Sequence, residues 1–355
     1  METITLHNYQ IHLGAAAKPL EQLLRAGRYS QLLVLVDEHT EPLCLPRLQP
    51  VLAPHGYHLI RIPAGERHKH IATCQAIWRQ MMESRADRQA LLINVGGGVI
   101  GDMGGFCAAT FKRGIDFVQV PTTLLSQVDA SIGGKLGIDF GQVKNSVGLF
   151  RDPGAVVIDP AFLATLPARE LRSGFAEMIK HALIADALQW AAFRSIGQLE
   201  QTDWQSLIGP SLRIKQQIVE ADPTEKGIRK ALNFGHTVGH AVEGVALETE
   251  RPLLHGEAIA IGMICEAYLS HRMAGLSQDA LEQISAFILD LYGHRPLEAR
   301  HFEAFFDLMI NDKKNEGRKI NFSLLPSIGS VKINCTAELS VIEDSLLYYN
   351  GLLLQ

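Results

Sequence analysis

Residues 94–106 read NVGGGVIGDMGGF. They continue Ala90-Leu91-Leu92-Ile93, an apolar run that reads as a buried strand and closes at Asn94-Val95. Gly96, Gly98 and Gly101 then fit G-x-G-x-x-G, the fingerprint in which a strand turns into a helix around a dinucleotide pyrophosphate. Glycines let phosphate oxygens approach backbone N–H groups, and a helix N-terminus adds a favourable field. The competing reading is that they only permit tight strand–helix packing. Six glycines, at 96, 97, 98, 101, 104 and 105, exceed what packing alone usually requires. In the common dinucleotide fold this loop follows the first strand and an acidic residue comes later. Here the acidic strand end, Asp37-Glu38, comes first.

Working outward, Leu32–Val36, His58–Ile62, Leu91–Val95, Phe117–Val120 and Val156–Ile158 read as strands, with a helical period over Ile71–Ser84. Strands alternating with helices imply a mainly parallel sheet covered on both faces. Beyond residue 160 the pattern changes. Ala168–Ala185, Leu207–Val219, Ala258–Arg272, Ala280–Leu291 and Phe302–Ile310 read as helices, interrupted by strands at Ile320–Leu325 and Ser330–Ile333. The expected architecture is an α/β domain with a mainly parallel sheet over residues 1–160 and a mostly α-helical domain over 161–355.

The 355 residues are 47% hydrophobic and 20% charged, with net charge −5. This suits a globular enzyme and argues against a general nucleic-acid or anionic-membrane binder, which needs a basic surface. Five cysteines form no C-x-x-C and are odd in number, as expected of thiols in a reducing compartment. Met1–Gln10 shows no secretory pattern and no run of about 18 apolar residues occurs, so a cytoplasmic protein is expected.

Residues 121–148, PTTLLSQVDASIGGKLGIDFGQVKNSVG, offer Thr122, Thr123, Asp129, Gly133, Gly134, Lys135, Lys144 and Asn145. The spacing is not that of a P-loop, yet backbone donors beside ammonium groups make a reasonable anion site. In the second half, LNFGHTVGHAVE puts His236, His240 and Glu243 on one helix face, and LHGE adds His255. RSGFAEMIKHALI puts Glu177 and Lys180 at i, i+3. Spacing alone selects His236 and His240 as divalent-metal ligands, against the plainer reading of two hydrogen-bonded helix histidines. H-E-x-x-H is absent.

Taken together, GGGVIGDMGGFCAATFKRG, QVPTTLLSQVDASIGGKLGID, KN, TLPARELRSGFAEMIK, LNFGHTVGHAVE, LLHGEAIAIGM and DKK carry a resemblance over nearly the whole chain. The chain resembles the 3-dehydroquinate synthases, sugar phosphate cyclases of the shikimate route. The resemblance implies a cytoplasmic homodimer that uses NAD and Zn2+ or Co2+, with NAD bound by the domain over residues 1–160 and metal and substrate by that over 161–355. It implies metal ligands Glu177, His236 and His255, which displaces His240 to the substrate phosphate and to proton transfer. It implies NAD contacts at Asp37, Glu66, Lys69, Gly97, Gly98, Asp102, Thr122, Thr123 and Lys144. Substrate contacts would be Asp129, Lys135, Asn145, Lys180, Lys215, Arg229, Asn233, His240 and one of Lys313 and Lys314, with Arg113 reaching in from the partner subunit. His240, Glu225, Lys180 and Lys135 would carry catalytic roles.

The implied reaction converts 3-deoxy-D-arabino-heptulosonate 7-phosphate to 3-dehydroquinate and phosphate. It runs by transient oxidation, phosphate elimination, re-reduction and aldol closure. Lys215 and Arg229 would hold the carboxylate; cations buried without that anion would be costly, which argues against cyclases of substrates lacking one. Pro223 departs from the more acidic segment common in the family and reshapes the loop before Glu225. A related polyol dehydrogenase would accumulate NADH, and the phosphate-binding lysines argue against it.

Overall fold

The computed structural model describes all residues except 26–27, 142, 248, 311–319 and 353–355. The chain forms two compact units. The first comprises Met1–Pro167 and Asp203–Glu220, the second Ala168–Thr202 and Ala221–Gln355.

The strands of the first unit are β1 (Glu2–Thr5), β2 (Gln10–Leu13), β3 (Gln31–Asp37), β4 (His58–Ile62), β5 (Ala90–Gly96), β6 (Asp116–Pro121), β7 (Lys135–Phe140), β8 (Val143–Phe150) and β9 (Ala155–Ile158). Seven of them form one sheet in the order β1-β2-β9-β6-β5-β3-β4. Only β1–β2 is antiparallel; every other pairing is parallel. The apolar runs mark strands because side chains alternate between two cores. Leu33, Leu35, Leu92 and Phe117 face one layer, and Leu32, Val34, Val36, Leu91, Ile93 and Val95 face the other. Each such buried aliphatic side chain contributes roughly 1.5–3 kcal/mol. β7 and β8 form a separate antiparallel hairpin, in a stretch for which the sequence reading assigned no strand.

The helix Trp204–Ala221 packs with the first unit, whereas a single break near residue 160 assigns it to the second half. Its Gln216 Nε2 donates to Thr5 O at 2.8 Å, Arg213 pairs with Glu2, and Lys215 reaches Asp129 Oδ1 at 2.6 Å.

In the second unit the helix His255–Met273 is buried on nearly every side, as a helix apolar all round must be. It packs against His236–Ala246, Ala168–Ala185, Gln278–Tyr292 and Leu339–Gly351. A hairpin of β10 (Asn321–Ser327) and β11 (Ser330–Thr336) lies against it. The crossing with His236–Ala246 is close because Gly262 faces Gly235; a Cβ at 262 would collide with the Gly235 carbonyl.

Glycines on the helix Gly98–Thr110 serve different ends. A Cβ at Gly104 would overlap Asn94 Oδ1 and lie 2.8 Å from Leu35 Cδ2, whereas one at Gly98 would meet only Ala130, at 3.4 Å. Gly104→Ala is therefore expected to cost about 1–3 kcal/mol in urea unfolding, with Gly98→Ala close to neutral. Equal losses would contradict this division.

Candidate active site

The strand order reverses between β3 and β5: the chain steps outward from β3 to β4, then returns to β5 and steps the other way to β6. In open α/β sheets the crevice at such a switch point, outside the carboxyl ends of the strands, is where ligands bind. β3 ends there at Asp37 and β5 at Gly96. Asp37 Oδ1 accepts the N–H groups of His39 (2.9 Å) and Thr40 (2.7 Å). Gly97 occupies the cap position of the helix Gly98–Thr110 with no side chain across its end. Gly97 and Gly98 are half-buried, while Gly96, Gly104 and Gly105 are buried. A Cβ on Gly97 would press to 3.1 Å from Thr123 Cγ2. Thr122 N–H donates to Gly96 O at 3.0 Å and so ties β6 to the loop. The glycine run divides: Gly96, Gly104 and Gly105 are packed so closely that a Cβ would overlap a neighbour, whereas Gly97 and Gly98, half-buried at the helix start, leave a backbone cradle. That cradle fits a dinucleotide phosphate.

Beside it Lys69, 4% exposed, donates to Asp102 Oδ2 at 2.6 Å and to Asn145 Oδ1 at 2.7 Å. Burial alone would lower the Lys69 pKa; Asp102, Glu66 and Asp139 outweigh it and hold the ammonium up to about 12. Burial likewise pushes the Asp102 carboxyl up, against the pull of Lys69. Lys144 lies 3.7 Å from Glu66. Asn145 has a left-handed backbone (φ 49°), and its N–H donates to Asp139 Oδ1 at 2.7 Å. Asp129 pairs with Lys215. Lys135 and Arg113 are exposed, and Arg113 too is left-handed (φ 71°).

In the second unit Glu177 is fully buried in the middle of Ala168–Ala185 and pairs with Lys180, also buried. Its Oε1 lies 3.4 Å from His236 Nε2 and 3.5 Å from His255 Nε2, and makes no hydrogen bond. Donor nitrogens of His236, His240 and His255 lie within 4.8 Å of one another. The structure thus brings together both metal sets, with the Glu177 oxygen turned to His236 and His255. A buried carboxylate oxygen facing two imidazole nitrogens, without hydrogen bonds, fits a divalent cation of the zinc type. Burial opposes ionisation of Glu177, but Lys180 and His236 overcome it and hold the carboxyl well below its usual range. Burial would also lower His255, yet Glu177 and Glu243 raise it to about 9.

Two further carboxylates shape this centre. Glu243 Oε2 lies 3.2 Å from His255 Nδ1. Glu266, fully buried, accepts the N–H groups of Gly235 (2.7 Å), Thr237 (2.9 Å) and Val238 (3.1 Å), and so seats the start of the helix bearing His236 on the helix bearing His255. Spacing pointed to Glu243 as part of a donor face, two turns beyond His236; nothing in the sequence pattern marks Glu266.

The loop 222–229 is organised by Asp222, whose carboxylate accepts from the N–H groups of Lys226, Gly227 and Arg229. Arg229 is 2% exposed, and its Nη1 donates to Pro223 O at 2.7 Å, so the proline carbonyl is part of the loop's support. Glu225 is left-handed (φ 61°) and lies 3.4 Å from Asn233 Nδ2. Lys313 and Lys314 lie outside the described residues.

The fold is that of the sugar phosphate cyclases. The structure superposes on 2-epi-5-epi-valiolone synthase from Streptomyces hygroscopicus subsp. jinggangensis, solved with NAD+ and Zn2+ bound, with TM-score 0.87, 27% identity and 99% of each chain covered. A 2-deoxy-scyllo-inosose synthase gives TM-score 0.86 at 21% identity over 97% of this chain and 99% of that one. A probable glycerol dehydrogenase from Sinorhizobium meliloti gives 0.60 at 16%, over 96% of each chain. Family models for the N-terminal and C-terminal parts of 3-dehydroquinate synthase match residues 59–173 and 174–315. The 3-dehydroquinate synthase of Parabacteroides distasonis is 42% identical over 93% of this chain and 94% of its own, and that of Halorhodospira halophila 38% over 96% of each. The chain belongs to the 3-dehydroquinate synthase family.

Removing Lys69 would strand the Asp102 carboxylate. Lys69→Ala is expected to lower the unfolding free energy by about 3 kcal/mol near neutral pH. Because the folded Lys69 pKa is raised, its contribution is complete below the unfolded lysine value of about 10.4 and fades as pH rises through about 12. Urea titrations of both proteins at neutral and alkaline pH measure this; a deficit that grows with alkali would contradict it.

Proposed function

We propose that the chain converts 3-deoxy-D-arabino-heptulosonate 7-phosphate to 3-dehydroquinate and phosphate, with NAD on the first unit and zinc or cobalt on the second. The observation that carries this reading is the buried Glu177 oxygen facing His236 and His255, in a chain of this family. Bound NAD supplies reversible hydride acceptance, and the metal polarises substrate hydroxyls.

The chain's own residues bind, orient and move protons. Glu177, His236 and His255 are the proposed metal ligands. Gly97, Gly98, Thr122 and Thr123 are assigned to the dinucleotide phosphates, and Asp37, Glu66, Lys69, Asp102 and Lys144 to the rest of that cofactor. Arg229 and Lys215 are assigned to the substrate carboxylate, where a guanidinium offers a two-pronged donor. Asp129 takes a hydroxyl. Lys135, Asn145, Lys180, Asn233, His240 and one of Lys313 and Lys314 serve the phosphate, with Arg113 supplied by a partner subunit. His240 and Glu225 are the candidate proton carriers, and the departing phosphate of the substrate can itself take the proton. A carboxylate-bearing substrate, rather than those of the valiolone and inosose cyclases, is the one that a guanidinium such as Arg229 would grip with two donors.

The expected result is phosphate release from this substrate with catalytic NAD, stopped by a chelator and without NADH build-up. Glu177→Gln should abolish release while leaving the far-UV circular dichroism intact. Steady NADH formation from a polyol, with no phosphate released, would instead make the protein a dehydrogenase.

A homodimer is part of the reading. Phe140 and Val143, paired at the turn end of the β7–β8 hairpin, are 67% and 63% exposed, and Phe150, paired with Lys135 at its other end, is 55% exposed; exposed apolar side chains along a hairpin suit a protein interface. Sedimentation should show a dimer that Phe140→Asp weakens; a wild-type monomer at micromolar concentration would refute it. All five cysteines are free, four of them buried, as suits a cytoplasmic protein.

A further inference from the structure

The proposed metal histidines each have one ring nitrogen turned to the Glu177 oxygen, and in both it is Nε2. The other nitrogen of each ring is occupied. His236 Nδ1 lies 3.1 Å from the Phe234 carbonyl, and His255 Nδ1 lies 3.2 Å from Glu243 Oε2. A carbonyl and a carboxylate can only accept, so in both rings Nδ1 carries a proton, and Nε2 is the nitrogen left to face a cation. Phe234 O belongs to the backbone, two residues from its histidine. Glu243 is a separate side chain on a different helix from His255, and it is 5% exposed. It lies on the helix that starts with His236, so that helix delivers one ring and holds the other. His255 is the first residue of its own helix, and its ring lies 5.5 Å from that of His236 and 5.7 Å from that of His240.

We propose that Glu243 is a positioning residue for the metal centre: its carboxylate fixes the ring orientation and tautomer of His255, so that Nε2 faces the cation. This rests on Glu177, His236 and His255 being the ligands. Outer carboxylates of this kind orient metal histidines, and their loss typically weakens metal affinity by about 10- to 100-fold.

The test is a set of zinc affinities measured by competition with a chromophoric chelator, together with the visible spectrum of the Co2+-loaded protein. The proteins are wild type, Glu177→Gln, Glu243→Ala, Glu243→Asp and Glu243→Gln. Glu243→Gln keeps an acceptor at the same reach and should stay close to wild type. Glu243→Asp keeps the charge but withdraws the oxygen, and should be weakened by about 10- to 100-fold, as should Glu243→Ala. Their cobalt spectra should shift in position while keeping the intensity of an unchanged ligand number. Wild-type affinity in Glu243→Asp with loss in Glu243→Gln would mean that charge matters rather than ring orientation, and would overturn the proposal. Wild-type affinity in Glu243→Ala would also overturn it. A spectrum showing a lost ligand would make Glu243 a ligand itself. Should Glu243→Ala fail to fold, the Asp and Gln pair decides alone. Normal affinity in Glu177→Gln would instead overturn the ligand set, which keeps the two failures distinct.

Discussion

A carboxylate with no solvent exposure is the constraint around which the second unit is built. Taking a charge such as Glu177 out of water costs several kcal/mol unless other groups replace the lost solvation. Lys180, one turn along the same helix, supplies one counter-charge, and two imidazoles from two other helices face the second oxygen. Those helices must start where they do, and cross closely, for the rings to arrive. Glycines at the crossing and the Glu266 carboxylate at the helix start meet that demand. Packing and chemistry are therefore one problem here, since the glycine contact that lets the helices approach also sets the spacing of the histidines.

The first unit solves a different problem, a crevice at the switch point of its sheet edged by glycine backbone. Its strands were legible because parallel strands buried on both faces leave unbroken apolar runs, as in Leu32–Val36 and Leu91–Val95. β1 and β2 are short and partly exposed, and β7–β8 carries a mostly exposed second strand, so neither left such a run. The helix Trp204–Ala221 was legible as a helix, but its return to the first unit was not. That depends on single long-range contacts, such as Gln216 with Thr5, which no local period encodes.

The site followed the same rule. The spacing of His236, His240 and Glu243 put all three on one face, which the structure keeps, but spacing cannot say which of them faces Glu177. The family resemblance supplied a choice, and in the structure the Glu177 oxygen lies 3.4 Å from His236 Nε2 and 3.5 Å from His255 Nε2. Backbone strain was invisible to pattern reading. Among the described residues Arg113, Asn145 and Glu225, all candidates for the site, adopt left-handed conformations that ordinary side chains avoid. Asp139 and Asp222, which support Asn145 and the Arg229 loop, emerge only when backbone donors are traced to their acceptors.

The order in which the chain is synthesised bears on how the first unit can form. Among the described residues the strand β2 pairs only with β1 and with β9, so the N-terminal hairpin has no place in the sheet until residues 155–158 exist. The sheet then still lacks the helix Trp204–Ala221, which emerges only after two helices of the second unit. Vectorial folding of one complete domain before the next, common in multidomain chains, is therefore closed to this topology. The nascent first unit must wait, with its edge strand open, while part of the second is made.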